Sequence, residues 1–149
     1  MRETEGAALD LAGRAAIGYL GTVDGEKRPC VKAMMKTAHE GLKTFWFCSN
    51  VSSKRAGQLQ TDPAACLYFA DEESFEGLML SGTARVLRDT EILGRFWQPE
   101  MVRYYPDGVD DRDYCVIEFS AETGNYYHGL ENRDFSIIDR QGEKDAKRD

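Results

Sequence analysis

The spacing of apolar and polar positions changes several times along this chain, and the changes mark its elements. Ala8, Leu11, Ala12 and Ala15 recur at intervals of three and four, which predicts an amphipathic helix over Thr4 to Ala16 with Thr4 placed to cap it. At Ile17 the period shortens. Ile17 to Val23 reads as a strand ending at Asp24-Gly25, a tight-turn pair. Pro29 to Lys36 is a second strand, His39-Glu-Gly41 a turn, and Thr44 to Ser49 a third strand rich in aromatics. Ser52 or Ser53 can cap a short helix that Asp62-Pro63 stops.

Ala65 to Ala70 and Leu78 to Leu87 read as the fourth and fifth strands. Gly82 inside the fifth predicts a bulge or a close approach of two backbones. A helix over Thr90 to Trp97, a loop at Tyr104-Tyr-Pro-Asp-Gly108, a strand over Tyr114 to Phe119 and a short one over Asn125 to His128 complete the pattern. Short strands with tight turns and a few helices predict a mainly β fold, a small antiparallel barrel with peripheral helices. Residues 1–139 read as a single domain. From Arg140 onward seven of ten residues are charged, which predicts a disordered tail over residues 140–149.

Composition narrows the function. The net charge of -7 argues against a protein that coats nucleic acid. No apolar run reaches membrane-spanning length, and Met1-Arg-Glu-Thr-Glu lacks the pattern of a signal peptide, so a cytoplasmic protein is expected. Cys30, Cys48, Cys66 and Cys115 include no closely spaced pair, and His39 and His128 are the only histidines. No metal site is expected, and the cysteines read as reduced and buried rather than as redox thiols.

Two segments carry candidate chemistry. In Phe45-Trp-Phe-Cys-Ser-Asn-Val-Ser-Ser-Lys-Arg-Ala-Gly-Gln-Leu59 a strand stops at small hydroxylated residues, and Lys54 and Arg55 follow where a helix begins. Hydroxyls, backbone N–H groups and cations at a helix start suit a phosphate. An ordinary capped loop with solvated cations is the plainer alternative. In Pro29-Cys-Val-Lys-Ala-Met-Met-Lys36, Cys30, Lys32, Met34 and Lys36 share one face and Val31, Ala33 and Met35 the other. Lysines beside soft apolar residues suit a planar ring carrying carbonyl or anionic groups; lysines snorkelling from a barrel rim are the alternative. A turn at His39-Glu-Gly41 would make the two segments hairpin partners.

The order of segments resembles the pyridoxamine phosphate oxidase-like, FMN-binding split-barrel superfamily, in its general stress protein branch. The resemblance spans Leu9 to His128. It rests on Gly21-Thr-Val-Asp-Gly25, Pro29 to Met34, Phe45 to Leu59, Asp62-Pro63, Leu80-Ser-Gly-Thr-Ala84 and the stretch from Trp97 through Tyr105-Pro-Asp-Gly and Asp110 to Asp113-Tyr. It implies a split antiparallel barrel, a homodimer, and FMN at the subunit interface. It implies ring contacts at Val31, Lys32, Ala33 and Met34, phosphate contacts at Cys48, Ser49, Ser53, Lys54 and Arg55, and Trp97 as an aromatic against a partner's flavin.

Relatives of this barrel also use haem or a deazaflavin, and for haem His39 or His128 would be the axial histidine. True pyridoxamine phosphate oxidases carry a C-terminal Arg-x-His element, where this chain has Glu131-Asn-Arg-Asp-Phe135. The implied function is a flavin oxidoreductase acting on a small molecule, with a nicotinamide donor as an option. A dimer that binds flavin without turnover, as a stress-response buffer or sensor, is the alternative.

Overall fold

The structure, a computed structural model, describes residues 2–137. The tail expected over residues 140–149 lies outside them. Three α-helices, α1 (Arg2–Arg14), α2 (Lys54–Thr61) and α3 (Thr90–Phe96), accompany eight strands. The strands are β1 (Ile17–Val23), β2 (Pro29–Met35), β3 (Ala38–Glu40), β4 (Thr44–Asn50), β5 (Ala64–Asp71), β6 (Glu76–Leu87), β7 (Tyr114–His128) and β8 (Glu131–Ser136). They form one antiparallel sheet in the order β2-β1-β5-β6-β7-β4-β3, with β8 added beside β7. The sheet curls into a split barrel.

Alternation decides what lies inside. Leu20 of β1, Phe45 and Phe47 of β4, Leu67 and Phe69 of β5, Leu78 and Leu80 of β6 and Phe119 of β7 are fully or almost fully buried in one cluster. Ala8, Leu11 and Ala12 of α1 and Leu59 of α2 pack into the same cluster, so the apolar stripes of both helices serve the barrel core. A second cluster lies on the opposite face of β4 and β7, where Trp46, Tyr114 and Val116 meet Leu93, Phe96 and Tyr105.

One local expectation is overturned. β2 and β4 are not hairpin partners, because β2 pairs only with β1 and the hairpin partner of β4 is β3, which occupies part of the predicted turn. The chain changes partner between two adjacent residues. The Lys36 N–H donates to the Ala16 carbonyl at 2.9 Å, and the Thr37 N–H to the Trp46 carbonyl at 3.0 Å. The β2–β3 run thus touches both edges of the curled sheet, and the turn moves on to Gly41, whose φ of 53° suits glycine. The two predicted strands at the C-terminal end are parts of one 15-residue strand, β7. Gly82 sits where the β6–β7 register shifts; a Cβ there would lie 1.9 Å from the Ser120 carbonyl oxygen.

Candidate functional site

The hydroxyl-rich segment forms the corner between β4 and α2. Ser53 caps the helix, its Oγ accepting from the Ala56 N–H at 3.2 Å. The hydroxyl proton of Ser53 thus remains available to an incoming acceptor. Ser49, on the inward face of β4, is 1% exposed and its Oγ has no hydrogen-bond partner. The Arg55 Nε is likewise buried without a partner. Buried polar groups are normally satisfied, so two orphan donors at one corner need a reason. Lys54 is exposed, one helical turn before Gln58.

The corner is tied to β1 and β2 from the side. Gln58 of α2 accepts from the Thr22 hydroxyl at 2.6 Å and donates to the Cys30 sulfur at 3.5 Å. The phosphate-type segment and the β2 segment therefore meet through α2, not through strand pairing. Along β2 the register places Cys30, Lys32 and Met34 opposite Thr22, Leu20 and Gly18. Hydrogen bonds at both ends of this ladder, Asp24 N–H to Arg28 and Lys36 N–H to Ala16, make the even-numbered residues of β2 the bonded ones. Val31, Ala33 and Met35 then direct their main-chain N–H and C=O groups to the free edge of β2. Met34 is buried in the barrel core, whereas Lys32 is exposed.

Other predicted residues stand apart from the corner. The Cys48 side chain leaves the opposite face of β4 from Ser49, into the second cluster, beside the Thr37 hydroxyl at 3.6 Å and the Tyr114 hydroxyl at 3.9 Å. Burial raises its pKa, which keeps the thiol protonated. Trp97 packs on Tyr105 and Tyr114 of its own chain, with ring centroids at 6.3 and 5.4 Å. The Lys36 ammonium donates to the carbonyls of Ala12 and Gly13, at the latter over 3.0 Å, and so closes the C-terminus of α1. His39 stacks on Phe45 and contacts the Gly41 carbonyl at 2.9 Å. His128 is exposed at the opposite end of β7 from Tyr114, the residue paired with Asn50.

Sequence reasoning missed the groups that hold the corner from outside. The Tyr105 hydroxyl donates to the Ser49 carbonyl at 2.9 Å, and burial pushes its pKa up to about 12. The Asp113 carboxylate accepts from the Ser52 N–H at 2.8 Å, the Ser52 hydroxyl at 2.9 Å and the Asn50 amide at 3.0 Å. These three donors hold the Asp113 pKa below the usual carboxylate value.

Comparison with known proteins fits this architecture. A family described as "Pyridoxamine 5'-phosphate oxidase like" matches residues 4–140. The chain belongs to this family. A protein from Clostridium acetobutylicum, related to general stress protein 26 of Bacillus subtilis and of the pyridoxinephosphate oxidase family, is 38% identical, with a TM-score of 0.83 over 92% of this chain and 96% of that one. General stress protein 26 of Bacillus anthracis is 18% identical, with a TM-score of 0.73 over 89% of this chain and 98% of that one. The first of these supports the general stress protein 26 branch of the family, and the second shares the fold. A haem-binding protein from Mycobacterium smegmatis shares the fold at 17% identity, with a TM-score of 0.72 over 89% of this chain and 57% of that one. No curated protein matches the chain significantly. Among the described residues no helix is long and apolar enough to cross a membrane.

Proposed function

We propose that this family member is a homodimeric flavoprotein that binds FMN noncovalently and acts as an oxidoreductase on a small molecule. The observation that carries the reading is the pair of buried, unpartnered donors, Ser49 Oγ and Arg55 Nε, at the start of α2. A phosphate would satisfy both, joined by the free hydroxyl proton of Ser53 and the charge of Lys54. The free edge of β2 offers main-chain groups of Val31 and Ala33, a fit for the alternating carbonyl and N–H groups of a flavin's pyrimidine edge. Met34 contributes through its backbone and by fixing β2 on the core. Lys32, exposed beside this edge, would favour negative charge on the ring system.

Bound FMN supplies hydride and electron chemistry, and the protein orients and tunes it. The outward face of β1 and β2 supports the dimer. Val31 is 71% and Met35 75% exposed there, next to Ile17 and Tyr19, an apolar patch that a second copy would cover. A nicotinamide is the candidate electron donor. Haem has weaker support, because His39 is already engaged and His128 stands away from the corner.

The test is a visible spectrum of the purified protein after incubation with excess FMN and desalting, with riboflavin in parallel. A retained two-band flavin spectrum with FMN, and much weaker retention of riboflavin, is expected. A colourless protein after FMN, or a Soret band after haem, overturns the cofactor assignment. Reduction of the loaded protein by NADH or NADPH, and reoxidation by a small acceptor, would separate an enzyme from a non-catalytic flavin binder. Analytical ultracentrifugation checks the dimer.

A further inference from the structure

We infer that Asp113 is the positioning residue of the anion corner: it locks the Asn50–Ser53 loop in its receiving shape and removes Ser52 from the set of phosphate contacts. This rests on the reading of Ser49 to Arg55 as the FMN phosphate site. A carboxylate beside an anion site should repel the ligand, yet Asp113 sits within hydrogen-bond reach of the loop that leads into α2.

Both Asp113 oxygens are engaged by loop donors: Oδ1 by the Ser52 N–H, and Oδ2 by the Ser52 hydroxyl and the Asn50 amide. Its main-chain carbonyl takes a fourth donor, the Val51 N–H, at 2.8 Å. The carboxylate therefore draws the donors of Asn50 and Ser52 toward itself and away from an incoming phosphate. What remains free at the corner is Ser49, Ser53, Lys54 and Arg55. The loop is shaped by the residue that would otherwise oppose the ligand.

Asp113 is itself held. Asp111, buried to 9% exposure, accepts from the main-chain N–H groups of Asp113 at 2.9 Å and Asp107 at 3.1 Å. Arg88 donates to the carbonyls of Asp111 and Tyr114 at 3.3 and 3.0 Å. With Tyr105 on the Ser49 carbonyl, the 105–114 segment grips the end of β4 and the following loop at Ser49, Val51 and Ser52. Pre-formed geometry of this kind raises affinity by sparing the ligand the ordering of the loop.

The test compares FMN and riboflavin affinities for wild type, Asp113→Ala, Asp113→Asn and Ser52→Ala, using flavin fluorescence, with inorganic phosphate titrations followed by amide NMR. Asp113→Ala should weaken FMN about tenfold or more while riboflavin changes about twofold or less. Asp113→Asn, which keeps the acceptor for the Ser52 N–H, should fall between. Ser52→Ala should cost FMN only about two- to threefold, because that hydroxyl serves Asp113 rather than the phosphate. An FMN-to-riboflavin ratio equal to wild type in folded Asp113→Ala overturns the inference, as does an equal loss of both ligands. If Asp113→Ala does not fold, the ratio in Asp113→Asn decides in the same way, and a loss of FMN affinity in Ser52→Ala of about tenfold or more overturns the removal of Ser52 from the phosphate contacts.

The phosphate arm separates this inference from the cofactor reading. Wild type that ignores FMN, but shows phosphate-dependent shifts at Ser49, Ser53, Lys54 and Arg55 that Asp113→Asn weakens, removes FMN and keeps the role of Asp113; shifts that Asp113→Asn leaves at wild-type affinity overturn that role. Wild type that binds neither FMN nor phosphate overturns both.

Discussion

Replacing Ser49 by alanine should move stability and affinity in opposite directions. The Ser49 hydroxyl is 1% exposed and has no hydrogen-bond partner. A buried hydroxyl without a partner costs about 1–3 kcal/mol. Alanine removes that cost and leaves a gap of one oxygen, which forfeits a few contacts of about 0.1–0.2 kcal/mol each. The ligand-free variant should therefore be as stable as wild type or more stable by about 1 kcal/mol, a rise in Tm of roughly 0–4 °C. In the proposed FMN complex the same hydroxyl would donate to a charged phosphate, a bond of about 1.5–3 kcal/mol. Its loss should raise the Kd for FMN by about ten- to a hundredfold.

Two measurements on one preparation decide the matter: differential scanning fluorimetry without ligand, and flavin fluorescence titration with FMN and riboflavin. A fall of more than about 3 °C in the ligand-free Tm would mean that the hydroxyl is structural. FMN affinity within about twofold of wild type would mean that it does not touch the phosphate. Either result refutes the reasoning, because both signs follow from one unpaired hydroxyl.

Arg55→Met should behave similarly, keeping the ligand-free Tm while weakening FMN about tenfold or more; isothermal titration measures it. Lys54→Ala, at an exposed position, should cost only about two- to fivefold in the same assay. Gly82→Ala places a Cβ against the Ser120 carbonyl at the β6–β7 bulge and should destabilise the fold by about 3 kcal/mol or more, read as a lowered urea midpoint. The lowered pKa of Asp113 gives a signed pH dependence. Its stabilisation is fully present above the unfolded value of about 3.9 and is lost as pH falls through the lower folded value. The Tm advantage of wild type over Asp113→Asn should thus narrow on acidification below about pH 4; a gap that stays constant from neutral pH to about pH 2.5 contradicts this assignment.

Much of this arrangement was legible in the chain because local chemistry and tertiary packing agree. Ser53 caps where its residue type and position say it should, Gly82 marks a real backbone approach, and β2 keeps its two-residue alternation with Met34 inward. The failures have physical causes. β3 is three residues long and overlaps a turn signal, so only the partner switch at Lys36 and Thr37 reveals it. β7 runs through Ser120 to Gly124, residues that fall between the two predicted strands, because its neighbours β4, β6 and β8 pair along it. The resemblance implies Cys48 and Ser49 as one contact set, although consecutive strand residues point to opposite faces. That period of two was available in the sequence and separates them. Asp113 and Tyr105 lie in a stretch that carries the family resemblance, but nothing local ties them to the corner, since they reach it from 56 to 63 residues away in sequence.

The same partner switch explains why a barrel this small can carry a site on its wall. A strand paired on both sides has no main-chain groups to offer, and a strand free on one side invites pairing with other chains. Here β2 pairs with β1 alone, and the run gives its other pairing to β4 only after Lys36, through β3. The exposed edge is thereby confined to β2. Gln58 fixes α2 against this same wall through Thr22 and Cys30, so unpaired backbone and unpaired phosphate-type donors share one side of the molecule. Each would be a liability if it stayed empty, the edge as a template for aggregation and the buried donors as a stability loss. A single ligand with a hydrogen-bonding ring at one end and a phosphate at the other relieves both. That coupling predicts cooperation between the two ends: FMN should bind more tightly than riboflavin and inorganic phosphate do separately.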